Sequence, residues 1–179
     1  MMLLLLACVH TPPHAPVEGT WKKEFVRREE IQAGGDYCSW EAESLTYAGT
    51  PLWSAEPPEG ENWCGTPAEQ SRYFDVLGQD GPFLSIRTQE SGCCPDHSDA
   101  ACVTWNLQAG RPATLVEYDE RRAAKRWAQA QAIAAAPGFA GYTIAQDAFV
   151  VVPGGHVAFC AAPTAGARSG ADIREIQVK

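Results

Sequence analysis

Apolar and polar residues alternate through much of the chain, and a period of two predicts a protein built mainly of strands. Cys102-Val103-Thr104-Trp105-Asn106-Leu107 shows it best, with Val103, Trp105 and Leu107 on one face and Cys102, Thr104 and Asn106 on the other. Upstream, 72–77 and 83–88 read as strands joined by the turn Gly78-Gln79-Asp80-Gly81, and 36–48, carrying Tyr37, Trp40 and Tyr47, reads as another. Downstream, 142–144, 149–152, 156–160 and 173–178 read as strands, with Pro153-Gly154-Gly155 making a hairpin of the middle pair. Trp21–Ile31 fits a helix or a strand. Segment 49–70, rich in Pro, Gly and Glu, reads as a long loop.

One stretch breaks the period. Ala123, Trp127, Ala130 and Ala134, with Ile133 beside them, recur at helical spacing and predict a helix over about 120–136. Asp119 is placed to cap its start and Pro137-Gly138 to stop it, while Gly110 turns the chain toward 114–117. Arg121, Arg122, Lys125 and Arg126 read as the solvent face of this helix. Strands, one helix, then strands predict an α+β fold, an antiparallel or mixed sheet with one main helix packed on a face.

The N-terminus changes the setting of that domain. Met1-Met2-Leu3-Leu4-Leu5-Leu6-Ala7-Cys8 ends as a lipobox ends, where a signal peptide is cut before a cysteine that takes a lipid. Residues 1–7 then form a lipoprotein signal peptide, Cys8 the lipidation site, 8–20 a Pro-rich tether and 21–179 a single domain. No Lys or Arg precedes the leucines, which a start lying upstream explains. The apolar run is far short of the ~20 residues that span a bilayer. The expected location is the bacterial cell envelope, lipid-anchored, periplasmic or at the outer membrane, toward which Val9 leans.

With Cys8 lipidated, six cysteines remain (Cys38, Cys64, Cys93, Cys94, Cys102 and Cys160), an even number that suits a disulfide-stapled exported domain. Connectivity stays open. We pair Cys38 with Cys64 and distribute the other four over two bridges, with adjacent Cys93 and Cys94 reaching different partners because a vicinal ring strains its peptide.

Charge bears on partners. The net charge of −8 argues against nucleic acid, and from Asp36 to Asp99 twelve acidic residues face two basic ones, Arg72 and Arg87. Such a block keeps a protein soluble, and it also steers a cationic partner.

Three segments together resemble a known domain. Gly81-Pro82-Phe83-Leu84-Ser85-Ile86 is similar to a "G-x-L-S-hydrophobic" strand. Trp105-Asn106-Leu107-Gln108-Ala109-Gly110-Arg111-Pro112-Ala113-Thr114-Leu115 is similar to an "N-hydrophobic-x-x-x-G-x-x-hydrophobic-T-L" hairpin that precedes a helix. Ala148-Phe149-Val150-Val151-Val152-Pro153-Gly154-Gly155-His156-Val157-Ala158-Phe159 is similar to a hairpin near the domain's end. In that order they resemble the RsiV/PdaC-type extracytoplasmic domain family, known from a lysozyme-binding anti-sigma factor and a peptidoglycan deacetylase, most clearly over 72–179. The resemblance implies a fold and a binding habit. The family's Gly-Gly-Ala-His loop is replaced here by Glu90-Ser91-Gly92-Cys93-Cys94-Pro95-Asp96-His97-Ser98-Asp99, and no sigma-binding segment is present, so no signalling role carries over.

That loop holds the densest polar cluster, and Asp96, His97 and Asp99 are the candidate binding residues. Cys94 and His97 are potential zinc ligands, but no second ligand pair stands at a recognised spacing, so no metal or cofactor is expected. A Cys–His nucleophile lacks an orienting third group, Glu59/Glu61 and Asp96/Asp99 arise readily in loops this acidic, and His156 reads as a plain hairpin residue. No catalytic residue is assigned. The expected function is a lipid-anchored envelope binding protein that recognises a cationic protein such as lysozyme, or a cell-wall ligand. An envelope hydrolase acting on peptidoglycan through the 93–102 loop is the alternative, and a purely structural lipoprotein a third.

Overall fold

A computed structural model describes residues 20–31, 37–53, 69–91, 98–164 and 173–178. The signal peptide, Cys8 and the tether lie outside them. The strands are β1 (Trp21–Ile31), β2 (Tyr37–Tyr47), β3 (Thr50–Trp53), β4 (Glu69–Asp80), β5 (Phe83–Ser91), β6 (Ser98–Asn106), β7 (Arg111–Pro112), β8 (Tyr142–Val152), β9 (His156–Pro163) and β10 (Arg174–Val178). The helices are α1 (Leu115–Tyr118) and α2 (Ala123–Ala134). The fold is α+β and mostly strands, as the pattern predicts.

Seven strands form a mixed sheet in the order β1-β2-β4-β5-β6-β7, with β3 also on β2 and one parallel pair, β2 with β4. Trp21–Ile31 is a strand because all eleven residues find antiparallel partners along β2. The sequence left that choice open. The parallel pair ends at Ala42↔Arg72, after which β2 and β4 part and Leu45 is buried in one cluster with Phe74, Leu84, Ile86 and Trp105. The other face of β4–β6 meets a second sheet, β10-β9-β8, whose far side is covered by α2.

The two sheets meet through a strand edge. Phe149 O accepts from Thr104 Oγ1 at 2.5 Å, Val151 N donates to Ser85 Oγ at 2.8 Å, and the two hydroxyls lie 2.7 Å apart. Both side chains are fully buried, so the large sheet supplies through hydroxyls the partners that the β8 backbone lacks on that side. Val151 also dictates Gly78. A Cβ there would stand 2.3 Å from Val151 O, a collision with backbone that no rotamer relieves. The turn predicted at 78–81 is accordingly shorter. β4 passes through a register shift between Val76 and Gly78 and runs on to Asp80↔Phe83, leaving Gly81-Pro82 as the turn. The Cys102–Cys160 disulfide ties β6 to β9 across the same interface, within the set of four cysteines expected to form two bridges. Cys64, Cys93 and Cys94 lie outside the described residues, and with them the proposed Cys38–Cys64 bridge.

The helix needs two corrections. It starts at Ala123, preceded by the separate turn α1, which Thr114 and Glu117 close as a reciprocal capping box. Asp119 does not cap α2 with its side chain, because that carboxylate meets Arg126 Nη2 at 3.2 Å. Arg126 is therefore not on the solvent face. Its side chain is 2% exposed and donates through Nη2 to Gly155 O at 2.9 Å, which pins α2 to the β8–β9 turn. Ala123 and Ala130 are buried as the stripe predicts, with Trp127 and Ala134 packed against the same core, while Ile133 is exposed.

Candidate functional site

Past the Phe74↔Thr88 rung, no described side chain of β4, β5 or β6 is buried. At this end β4 is flanked on its other side by β2, which pairs with it over Ser39↔Glu69 to Ala42↔Arg72 and carries β1 beyond. Rungs can be counted across β4, β5 and β6: Tyr73↔Gln89↔Ala100, then Arg72↔Glu90↔Asp99, then Ser71↔Ser91↔Ser98. The segment 92–97, with Cys93, Cys94, Asp96 and His97, connects β5 to β6 at this end and lies outside the described residues, as do Glu59 and Glu61. Of the candidate binding residues, Asp99 falls within β6.

Backbone register places Glu90 of β5 between Arg72 of β4 and Asp99 of β6. A like charge on one neighbouring strand and an opposite charge on the other act in opposite senses, each by roughly 0.2–1 kcal/mol in cross-strand terms. Glu90 was missed from sequence because its role depends on register. Counting back from the hairpin would have found it.

Around this rung the acidic block is partly neutralised, which the sequence count does not reveal. Lys23 Nζ lies 2.6 Å from Glu43 Oε2, donates to Phe74 O at 2.7 Å and sits over the Phe74 ring at 4.7 Å from its centre. Glu43 also accepts from Phe74 N at 2.9 Å, so these two side chains occupy the β4 edge that β2 has left. Arg27 Nε approaches Glu41 Oε1 at 3.5 Å, and Glu41 accepts from the Tyr73 hydroxyl at 2.8 Å. That hydrogen bond, then burial, raises the Tyr73 pKa. Arg87 pairs with Asp75 at 2.8 Å. Farther off, Asp80 accepts from the Tyr118 hydroxyl at 2.8 Å; burial first, and then this bond, push the Tyr118 pKa up. Four of the block's carboxylates are thus engaged within the fold.

Elsewhere the polar side chains do structural work. Arg111 bridges Glu117 at 2.6 Å; this contact and the Thr114 backbone N–H hold the Glu117 pKa down at about 2. His156 opens β9 and is exposed. Among the described residues no three His, Cys, Asp or Glu side chains gather as a metal site would need, and no helix is long and apolar enough to cross a membrane.

No protein-family model matches the sequence, and no curated protein gives a match. Among solved structures, the chain is similar to a DUF3298 family protein from Pseudomonas aeruginosa, with a TM-score of 0.50 and 10% identity over 90% of each chain. A DUF3298 family member from Bacteroides fragilis aligns with a TM-score of 0.48 and 12% identity, over 89% of this chain and 90% of that one. The likeness to the Pseudomonas protein is one of fold.

Proposed function

We propose that this chain is a lipid-anchored envelope binding protein with a domain of the RsiV/PdaC type, that it is not an enzyme, and that the tip of β4–β6 with the 92–97 loop recognises a cationic protein such as lysozyme. The lipobox at 5–8 supports the anchor. The three sequence segments and the DUF3298-like fold, the family of RsiV/PdaC-type domains, support the domain type. One observation supports the binding site: the register makes Glu90 and Asp99 partners on β5 and β6, with Arg72 on the far side of Glu90, and Asp96 lies between them in sequence. Opposite charge raises the rate at which a cationic ligand meets these acidic positions.

The test is a double variant, Glu90→Gln with Asp99→Asn. Stability in urea stays within roughly 0.5 kcal/mol of wild type, since one like-charge and one opposite-charge pair are lost together, while the dissociation constant for lysozyme rises about tenfold and its salt dependence flattens. Unchanged lysozyme affinity would contradict the proposed site. Hydrolysis of peptidoglycan that is abolished by His97→Ala would replace the binding reading with the enzymatic one.

A further inference from the structure

β1 is an edge strand. Among the described residues it pairs with β2 on one side and with no strand on the other. An unpaired edge eleven residues long is a template for another strand, and proteins that must avoid such pairing blunt it with charge. β1 is heavily charged, as Trp21-Lys22-Lys23-Glu24-Phe25-Val26-Arg27-Arg28-Glu29-Glu30-Ile31. Lys22, Lys23, Glu24, Phe25, Arg27 and Glu29 are all exposed, and Phe25, at 58%, is the most exposed of the large apolar side chains.

The order of the charges matters more than their number. Laid antiparallel against a second copy about a two-fold axis through Val26, the strand sets Lys22 opposite Glu30, Lys23 opposite Glu29 and Glu24 opposite Arg28 of the other copy. Each pair occurs twice by symmetry. Phe25 stands opposite Arg27, an arrangement suited to a cation on a ring; Trp21 stands opposite Ile31, and Val26 meets itself. No like charges face each other.

Every neighbouring register fails this test. A slip of one residue sets Lys23 against Arg28 in one direction and Glu24 against Glu29 in the other. A slip of two sets Lys22 against Arg28 and Lys23 against Arg27, or Glu24 against Glu30 and Arg27 against itself. Parallel pairing in register sets every charge against its own kind. The charges that blunt this edge toward a general partner therefore leave one arrangement open, which is attraction and exclusion combined in one strand.

We propose that β1 is a self-association site through which two copies of this chain join their large sheets antiparallel about Val26. Lys23, held by Glu43, and Arg27 and Glu29, paired with each other at 2.6 Å, contribute least, and the Lys22–Glu30 and Glu24–Arg28 pairs set the register. The dimer is isologous and closed, since each β1 edge is consumed by the other.

Sedimentation of the full chain tests this. The wild-type protein sediments as a dimer that weakens as salt is raised. Lys22→Glu places Glu against Glu30 twice and raises the dimer dissociation constant about tenfold, and Glu30→Lys does the same with lysines. An equimolar mixture of the two variants restores every opposite-charge pair and recovers the dimer, as does the double variant in one chain. Wild-type protein that is monomeric throughout, a dimer indifferent to Lys22→Glu, or a mixture no tighter than its components would each overturn the proposal.

Discussion

Asp119→Ala is expected to lower the unfolding free energy by about 3–5 kcal/mol, although Asp119 lies far from the candidate site and touches no ligand there. Among the described residues, Asp119 supplies the only carboxylate against Arg126, whose side chain is 2% exposed. Among the described residues Nε and Nη1 of that guanidinium have no hydrogen-bond partner, so without Asp119 Gly155 O alone of these remains to hold a buried cation. The fold has no inexpensive way to expose it. Arg126 projects from the α2 face that carries Ala123 and Ala130, between the helix and the β8–β9 turn. Chemical denaturation of Asp119→Ala beside Asp119→Leu/Arg126→Met checks the cause. The double variant, which removes both charges, should recover most of the loss. Equal losses in both would assign the effect to packing at α2 instead.

Replacing Cys102 and Cys160 together by alanine should cost about 4 kcal/mol. The bridge closes a span of 58 residues, and a cross-link over that length restricts the unfolded chain by about this amount in the chain-entropy account. The loss has a structural counterpart. The disulfide is the covalent tie between β6 of the large sheet and β9 of the small one, and the non-covalent ties beside it are the Ser85 and Thr104 hydroxyls on the β8 backbone. Urea unfolding should show a lower midpoint and a steeper dependence on denaturant, since the unlinked chain exposes more surface when unfolded. A loss under about 1 kcal/mol would mean that the hydroxyl contacts and the Val150, Ala158 cluster hold the sheets together without the cross-link.

The legible parts of this chain are those where one face decides the structure. The split of 102–107 into two faces is realised as Trp105 and Leu107 in one core, Cys102 in another and Thr104 at the sheet interface. The 149–160 hairpin reads equally well, because Val-rich alternation and a Pro-Gly-Gly turn agree. What sequence could not give depends on partners distant in the chain. β1 carries charge on both faces, so neither period dominates, and only its pairing with β2 makes it a strand. Arg126 sits three residues after Ala123 and four before Ala130, on the buried face. Its charge argued for solvent, and only the contact with Asp119 reverses that. The acidic block looked uniform because the cations that neutralise Glu41 and Glu43 come from β1, outside the block. Glu90 joins the proposed site only through its register with Asp99, which the sequence does not display.

Hydrogen exchange on the full chain, with and without lysozyme, addresses the proposed binding site most directly. The account predicts new protection of backbone amides over 89–100, with the helix amides of 123–134 unchanged. Protection confined to the basic first turns of that helix, or absent from the β5–β6 tip, would contradict it.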